Sequence, residues 1–376
     1  MGYRRGRIAD LLGDSLVYRS LRPQDPRLPG FAELREELGL GGELPRKGSA
    51  EYARVVVRIL EAAQGLRGTE LRRIVYVGDT RHNDGRTIAA LGELVPVRGF
   101  IAAETAEPEN IEISGPIMYA NRWGVLGRFR EWLRAEDFPL DEGTAVIIDL
   151  DKTAFGARGR NSAPVDAARI AAAARLARDT LGEAFDPERF RRLYRKLNAP
   201  EYHSFTGDNQ DLVVFAALAA ASGACPPERL DEGLRTGKLR DFADFLELLE
   251  RVSLPPGLRS LLEEIRAGIA RGDPTPLKTF RRLEYRETLA RMDAFPDGTP
   301  RETVLEEEIV ITEEVWEFAE EAGERGALLF GLTDKPDEAS LPPAGHGGPP
   351  LHRAVMKILG GGEPRSDPAQ NTEGLG

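Results

Sequence analysis

Apolar positions along the chain follow two rhythms. Compact runs carry the β-branched and aromatic residues that suit a buried strand. They are Ile74-Val75-Tyr76-Val77, Ala145-Val146-Ile147-Ile148 and Ala327-Leu328-Leu329-Phe330-Gly331-Leu332. A shorter one spans residues 97–102 and is expected to be interrupted at Arg98-Gly99. Elsewhere the spacing is helical. Val56, Ile59 and Leu60, with Tyr52 one turn earlier, form a stripe over residues 50–64. Residues 84–91, 123–133 and 312–324 also read as helices, the last with Glu313 and Glu314 in a favourable first turn. Strands separated by helices predict an α/β fold around a Rossmann-like, doubly wound parallel sheet, because parallel neighbours need a crossover.

Residues 160–300 have a different character. Residues 167–181 and 213–221, and the stripe Phe242, Phe245, Leu249 and Val252, are alanine-rich or amphipathic at helical spacing. A mainly helical insertion is expected there. Residues 1–50 read as turns and short elements, with 14–18 a candidate for a further strand. Residues 104–118 read as loop with a short edge element, and 351–359 as a short helix. The resulting layout is a first core segment at 1–155, an insertion at 156–310 and a second core segment at 311–360. A polar tail at 361–376 is expected to be disordered.

Composition narrows the function classes. The chain has 376 residues and a formal net charge of -11, which argues against bulk nucleic-acid binding. A single cysteine, Cys225, leaves no disulfide framework and no zinc ribbon, and reads as structural. No apolar run reaches the length of a membrane span, and no apolar signal core follows the basic N-terminus. A reducing cytoplasm is the expected setting.

The candidate chemistry lies where the strands end. Asp149 and Asp151 follow directly on the clearest apolar run, in Asp149-Leu150-Asp151-Lys152-Thr153. Ligands of parallel sheets gather at the carboxyl ends of strands, and residues two apart on extended backbone point the same way. One carboxylate can attack phosphorus, and the other can protonate a leaving oxygen and later activate water. Thr153 can donate a hydrogen bond to the first carboxylate or to phosphate. A second acid-rich turn, Gly78-Asp79-Thr80-Arg81-His82-Asn83-Asp84, ends the Ile74 run. Asp79 can reach a divalent cation held by the first strand, and Asp84 can support its shell. Hard oxygen donors with retained water suit Mg²⁺. His82 reads as an exposed loop residue or a substrate contact.

These segments resemble the haloacid dehalogenase-like phosphohydrolase superfamily. Asp149 to Thr153 matches its DxDxT nucleophile motif, and Gly78-Asp79 with Asp84 its metal-binding motif. Thr333 is similar to the family's phosphate-binding Thr or Ser. The family's lysine is matched best by Lys47, with Lys335 the rival; the chain has 7 Lys against 44 Arg. The motif order is circularly permuted, with Lys47, Asp79 and Asp84 ahead of Asp149, Asp151 and then Thr333. Residues 156–310 occupy the place of a helical cap, with Arg191, Arg192, Arg195, Lys196, His203 and Asn209 as its candidate polar groups.

The resemblance implies a phosphomonoester hydrolase that works through an aspartyl-phosphate on a small phosphorylated metabolite. Its catalytic set would be Asp149, Asp151, Thr333 and Lys47, and its Mg²⁺ set Asp149, Asp151, Asp79 and Asp84. The alternatives are a non-catalytic phospho-ligand or protein-binding protein on the same fold, and a phosphotransferase with an acceptor other than water. No Gly-rich loop ending in Gly-Lys-Ser/Thr supports nucleotide-kinase chemistry.

Overall fold

The computed structural model describes residues 2–343, 345 and 347–361. Two compact units divide the chain. One comprises residues 1–165, 291–335 and 352–376, the other residues 166–290 and 336–351. Segments 156–165 and 291–310, expected within the insertion, group with the first unit, and 336–351 group with the second. The expected tail at 361–376 lies outside the described residues except for Gly361.

Among the described residues the first unit contains ten strands: β1 (Arg5–Gly6), β2 (Leu16–Val17), β3 (Arg73–Gly78), β4 (Val97–Ala102), β5 (Ile111–Ser114), β6 (Ile117–Ala120), β7 (Thr144–Asp149), β8 (Ile311–Thr312), β9 (Leu328–Leu332) and β10 (Met356–Leu359). Seven form one sheet in the order β2-β9-β7-β3-β4-β6-β5. Every pairing is parallel except the β5–β6 hairpin. The strands read from the apolar runs are β3, β4, β7 and β9, and the short 14–18 segment supplies β2. Arg98-Gly99 does not interrupt β4. Gly99 instead lets the following layer approach, since a Cβ there would lie 2.4 Å from the Ile88 Cδ1.

Helices cover both faces of the sheet, which is why its central strands are apolar on both sides. Ile74, Tyr76, Ala145, Ile147, Leu328 and Phe330 pack in one cluster with the inward stripe of helix Ala50–Leu66. From the other side Phe129, on helix Leu126–Ala135, meets Phe100 at 5.4 Å and Phe318 at 6.0 Å between ring centroids. Phe318 belongs to helix Glu313–Glu324.

The expected helix at 351–359 is a correction. Only Leu351–Arg353 turns, as a 3-10 helix, and Met356–Leu359 is β10. The pattern misleads because the strand's partners are remote. β10 lies between β1 and β8, with Lys357 opposite Arg5 and Ile358 opposite Ile311. Lys357 is fully buried there. Its ammonium donates to Asp293 (3.0 Å), the Phe295 carbonyl (2.8 Å) and both oxygens of Glu308 (2.9 and 2.8 Å).

The second unit is helical around Gln210–Ala221, a helix apolar on nearly every side and buried throughout its length after Leu212 except at Ala221. Phe205, Phe215, Phe242 and Phe245 interlock around it. Cys225 is buried in the same core. Arg281 bridges Asp211 (2.7 Å) and Glu284 (2.7 Å), and Arg169 meets the second oxygen of Glu284 at 3.1 Å. Among the described residues no helix is long and apolar enough to cross a membrane.

Removing one partner of a fully buried ion pair leaves the other charge uncompensated. Replacing Lys357 by alanine is therefore expected to destabilise the protein by about 3–5 kcal/mol, read from urea unfolding. A loss below about 1 kcal/mol, the level of a surface pair, would show that Glu308 finds another partner.

Candidate active site

The site grows from three neighbouring strand ends. β7 ends at Asp149. On one side the register Val77↔Ile148 sets the Gly78-Asp79 turn beside it. On the other Asp149 pairs with Leu332, and Thr333 follows. Asp79, Asp84, Asp149 and Thr333 are all buried, as expected for groups held in a crevice rather than on a solvated loop. Gly78 is required by closeness: a Cβ there would come within 2.7 Å of the Asp84 carboxyl carbon.

Lys47 reaches this point from just before helix Ala50–Leu66, whose start is fixed by the Ser49 hydroxyl accepting the Tyr52 N–H at 3.1 Å. Its Nζ lies 2.7 Å from Asp149 Oδ1 and 2.7 Å from Asp84 Oδ1. Thr153 donates to Asp149 Oδ2 at 3.2 Å, so both oxygens of that carboxylate are held. Past the strand the backbone turns back through Lys152, at φ 65°, and the Ala154 N–H returns to the Asp149 carbonyl at 3.1 Å. Lys335, the rival lysine, also belongs to this centre. Its backbone N–H donates to Thr333 Oγ1 at 3.2 Å, and its Nζ lies 3.5 Å from Asp151 Oδ1. The two lysines thus divide between Asp149 and Asp151.

Asp84 is saturated. Oδ1 receives Lys47 and the Tyr76 hydroxyl (2.8 Å). Oδ2 receives the backbone N–H groups of Asp79 (3.0 Å) and Thr80 (2.8 Å) and the Thr80 hydroxyl (2.8 Å). A carboxylate offers roughly four lone-pair positions, and five donors fill them. The sequence reading set Asp84 in a metal shell; its contacts make it the group that shapes the Asp79 turn and holds Lys47.

The electrostatics separate the acids. Burial would raise the Asp84 carboxyl, but Lys47 and the Thr80 donors outweigh it and hold it far below the usual range. Burial pushes Asp149 up; Lys47 opposes this and the charge of Asp84 adds to it. Asp79 is pushed up by burial and then by the like charges of Asp149 and Asp84, against the pull of Arg158. Lys47 is held charged: burial works against its proton, and Asp149, Tyr76 and Asp84 together overcome that.

Sequence reasoning did not single out Tyr76, Thr80 or Arg158. Tyr76 carries a weak signal, since a hydroxyl in the middle of a buried strand must find a partner. Arg158 lies between Gly156 and Gly159, the setting of a tightly turned loop, and its guanidinium pairs with Asp79. His82 is exposed. The six polar groups proposed for a cap lie in the second unit. There Lys196 pairs with Asp231, Arg191 with Glu188 and His203 with Asp208, and Asn209 caps helix Gln210–Ala221. Arg192 and Arg195 are exposed.

Among the described residues no group of three or more His, Cys, Asp or Glu side chains is arranged to hold a metal. With Asp84 saturated, the remaining hard donors include the carboxylates of Asp79 and Asp149, close enough to repel. That set fits Mg²⁺, which commonly takes one or two carboxylates and completes its shell with water and phosphate oxygens. Compared with known proteins, the chain matches no family model, no curated protein and no solved structure.

The crowding has a consequence for stability. A carboxyl raised in the folded state contributes stability below its unfolded value, ordinarily 3.8, and that contribution is lost as pH rises through the raised value. In chelator, Asp79→Asn is therefore expected to raise the melting temperature, more at about pH 8.5 than at about pH 5. A gain of equal size at both pH values, or no gain, in thermal melts would contradict this crowding.

Proposed function

We propose that this chain is a Mg²⁺-dependent phosphomonoester hydrolase of the haloacid dehalogenase-like type, acting through an aspartyl-phosphate on Asp149. The observation that carries the reading is the gathering of Lys47, Asp79, Asp149, Asp151 and Thr333 at three adjacent ends of one parallel sheet. A permuted motif order requires only that the nucleophile strand lie between the metal and Thr strands, and β7 lies between β3 and β9.

In this mechanism Lys47 and Thr153 fix the plane of the Asp149 carboxylate. One Asp149 oxygen attacks phosphorus, and the bond to the leaving oxygen breaks. Asp151 gives its proton to that oxygen. Asp151 then takes a proton from water, whose oxygen attacks the same phosphorus and frees Asp149 and inorganic phosphate. Thr333 donates to a phosphate oxygen, and Lys47 offsets charge on nucleophile and phosphoryl group. Asp79 and Asp149, with Asp151 close by, would hold Mg²⁺, which would neutralise charge between the anionic nucleophile and substrate. Asp84 acts by position, through Lys47 and the Asp79 turn. The helical unit takes the part of a specificity cap for a small phosphorylated metabolite.

The test is phosphate release from a panel of small phosphomonoesters with Mg²⁺ and with chelator. Activity is expected only with metal, and Asp149→Asn is expected to lower turnover by roughly 10⁴-fold or more while the circular dichroism spectrum is kept. Wild-type turnover by D149N would eliminate the covalent mechanism.

A further inference from the structure

Arg158 is held by its backbone on both sides. Its N–H donates to the Lys152 carbonyl at 2.9 Å, and its own carbonyl accepts the Glu104 N–H at 3.0 Å and the Trp123 indole N–H at 3.2 Å. The flanking Gly156 and Gly159 have φ of 68° and 81°. A Cβ on Gly159 would lie 2.0 Å from the Glu104 carbonyl oxygen, so only glycine fits this path. The path directs the guanidinium onto Asp79 Oδ2. The pair is unequal: the Asp79 side chain is 6% exposed, that of Arg158 37%. Lys47, by contrast, is enclosed and committed to Asp149 and Asp84.

We propose that Arg158 is a competing counter-ion, which holds Asp79 when no divalent cation is bound and must yield that carboxylate for the cation to bind. This rests on the reading of Asp79 as a metal ligand. A guanidinium–carboxylate bond is charge-assisted, and its loss is subtracted from the cation's affinity. Like charge near the cation works in the same direction. The half-exposed guanidinium has solvent into which to move, and its backbone anchors do not change. Arg158 therefore sets a weaker, more readily exchanged cation site than the acids alone would form.

Calorimetric titration of MgCl₂ into the full chain tests this on wild type, Arg158→Gln, Arg158→Lys and Asp79→Asn. The expected result is binding roughly two- to fivefold tighter in R158Q, the size of a partly exposed pair. R158K, which keeps the charge, should stay near wild type, and D79N should lose binding. Equal or weaker binding in R158Q, with D79N still defective, would overturn the role of Arg158 alone. Undiminished binding in D79N, or none in wild type and R158Q, would overturn both this proposal and the metal reading of Asp79. A role for Arg158 confined to loop structure does not predict tighter binding when it is removed.

Discussion

The ammonium of Lys47 is the contact on which the centre depends. It lies 2.7 Å from two buried carboxylates that reach it from different elements, Asp149 at the end of β7 and Asp84 from the first turn of helix Asn83–Gly92. A buried ammonium is tolerated only when paired, and two buried acids so close repel without it. Each member is therefore held by the others. Asp84 is the most constrained. By accepting five donors it joins the Lys47 segment, the Tyr76 strand and the backbone of the Asp79 turn in one network. Loss of Asp84 would release all three at once.

The sheet makes this network possible. Lys47 and Asp149 are 102 residues apart, and Thr333 is far beyond both. Parallel pairing of β3, β7 and β9 sets their carboxyl ends level, so turns that are remote in the chain open on one place. A one-residue slip would exchange the faces of every side chain in a strand and move Asp149 out of line with Gly78-Asp79 and Thr333. The small β1-β10-β8 sheet is built on another principle. Lys357 anchors its central strand through the fully buried Glu308 and the partly exposed Asp293.

The major strands were legible because their cause is local. Ile74 to Val77 and Ala145 to Ile148 are apolar on both faces whatever surrounds them. Asp79 and Asp149 were legible as types because few roles suit acids at the ends of apolar strands, whereas Lys47 was matched only through the family resemblance. What could not be read had tertiary causes. β10 looked helical because its two partners lie at opposite ends of the chain. Asp84 looked like one more acid because its five donors are invisible in the sequence Thr80 to Asp84. The choice between Lys47 and Lys335 had no local answer either, since both enter the centre and meet different aspartates.

Charge balance separates this centre from the other buried ion clusters. In the helical unit Asp211 and Glu284 are met by Arg281 and Arg169, one cation to each acid. In the small sheet Lys357 meets Glu308, both fully buried, and Asp293, which Arg5 meets as well. At the sheet ends one enclosed ammonium serves Asp84 and Asp149 together, and Asp79 is left to a guanidinium that is more than a third exposed. Balanced clusters are what packing alone would retain, because each unmatched buried charge costs stability. Here burial and mutual repulsion raise both Asp149 and Asp79. That strain has no structural use, since neutral residues of similar shape would fill the same space without it. At Asp79 and Asp149 it leaves crowded negative charge that an added cation would relieve.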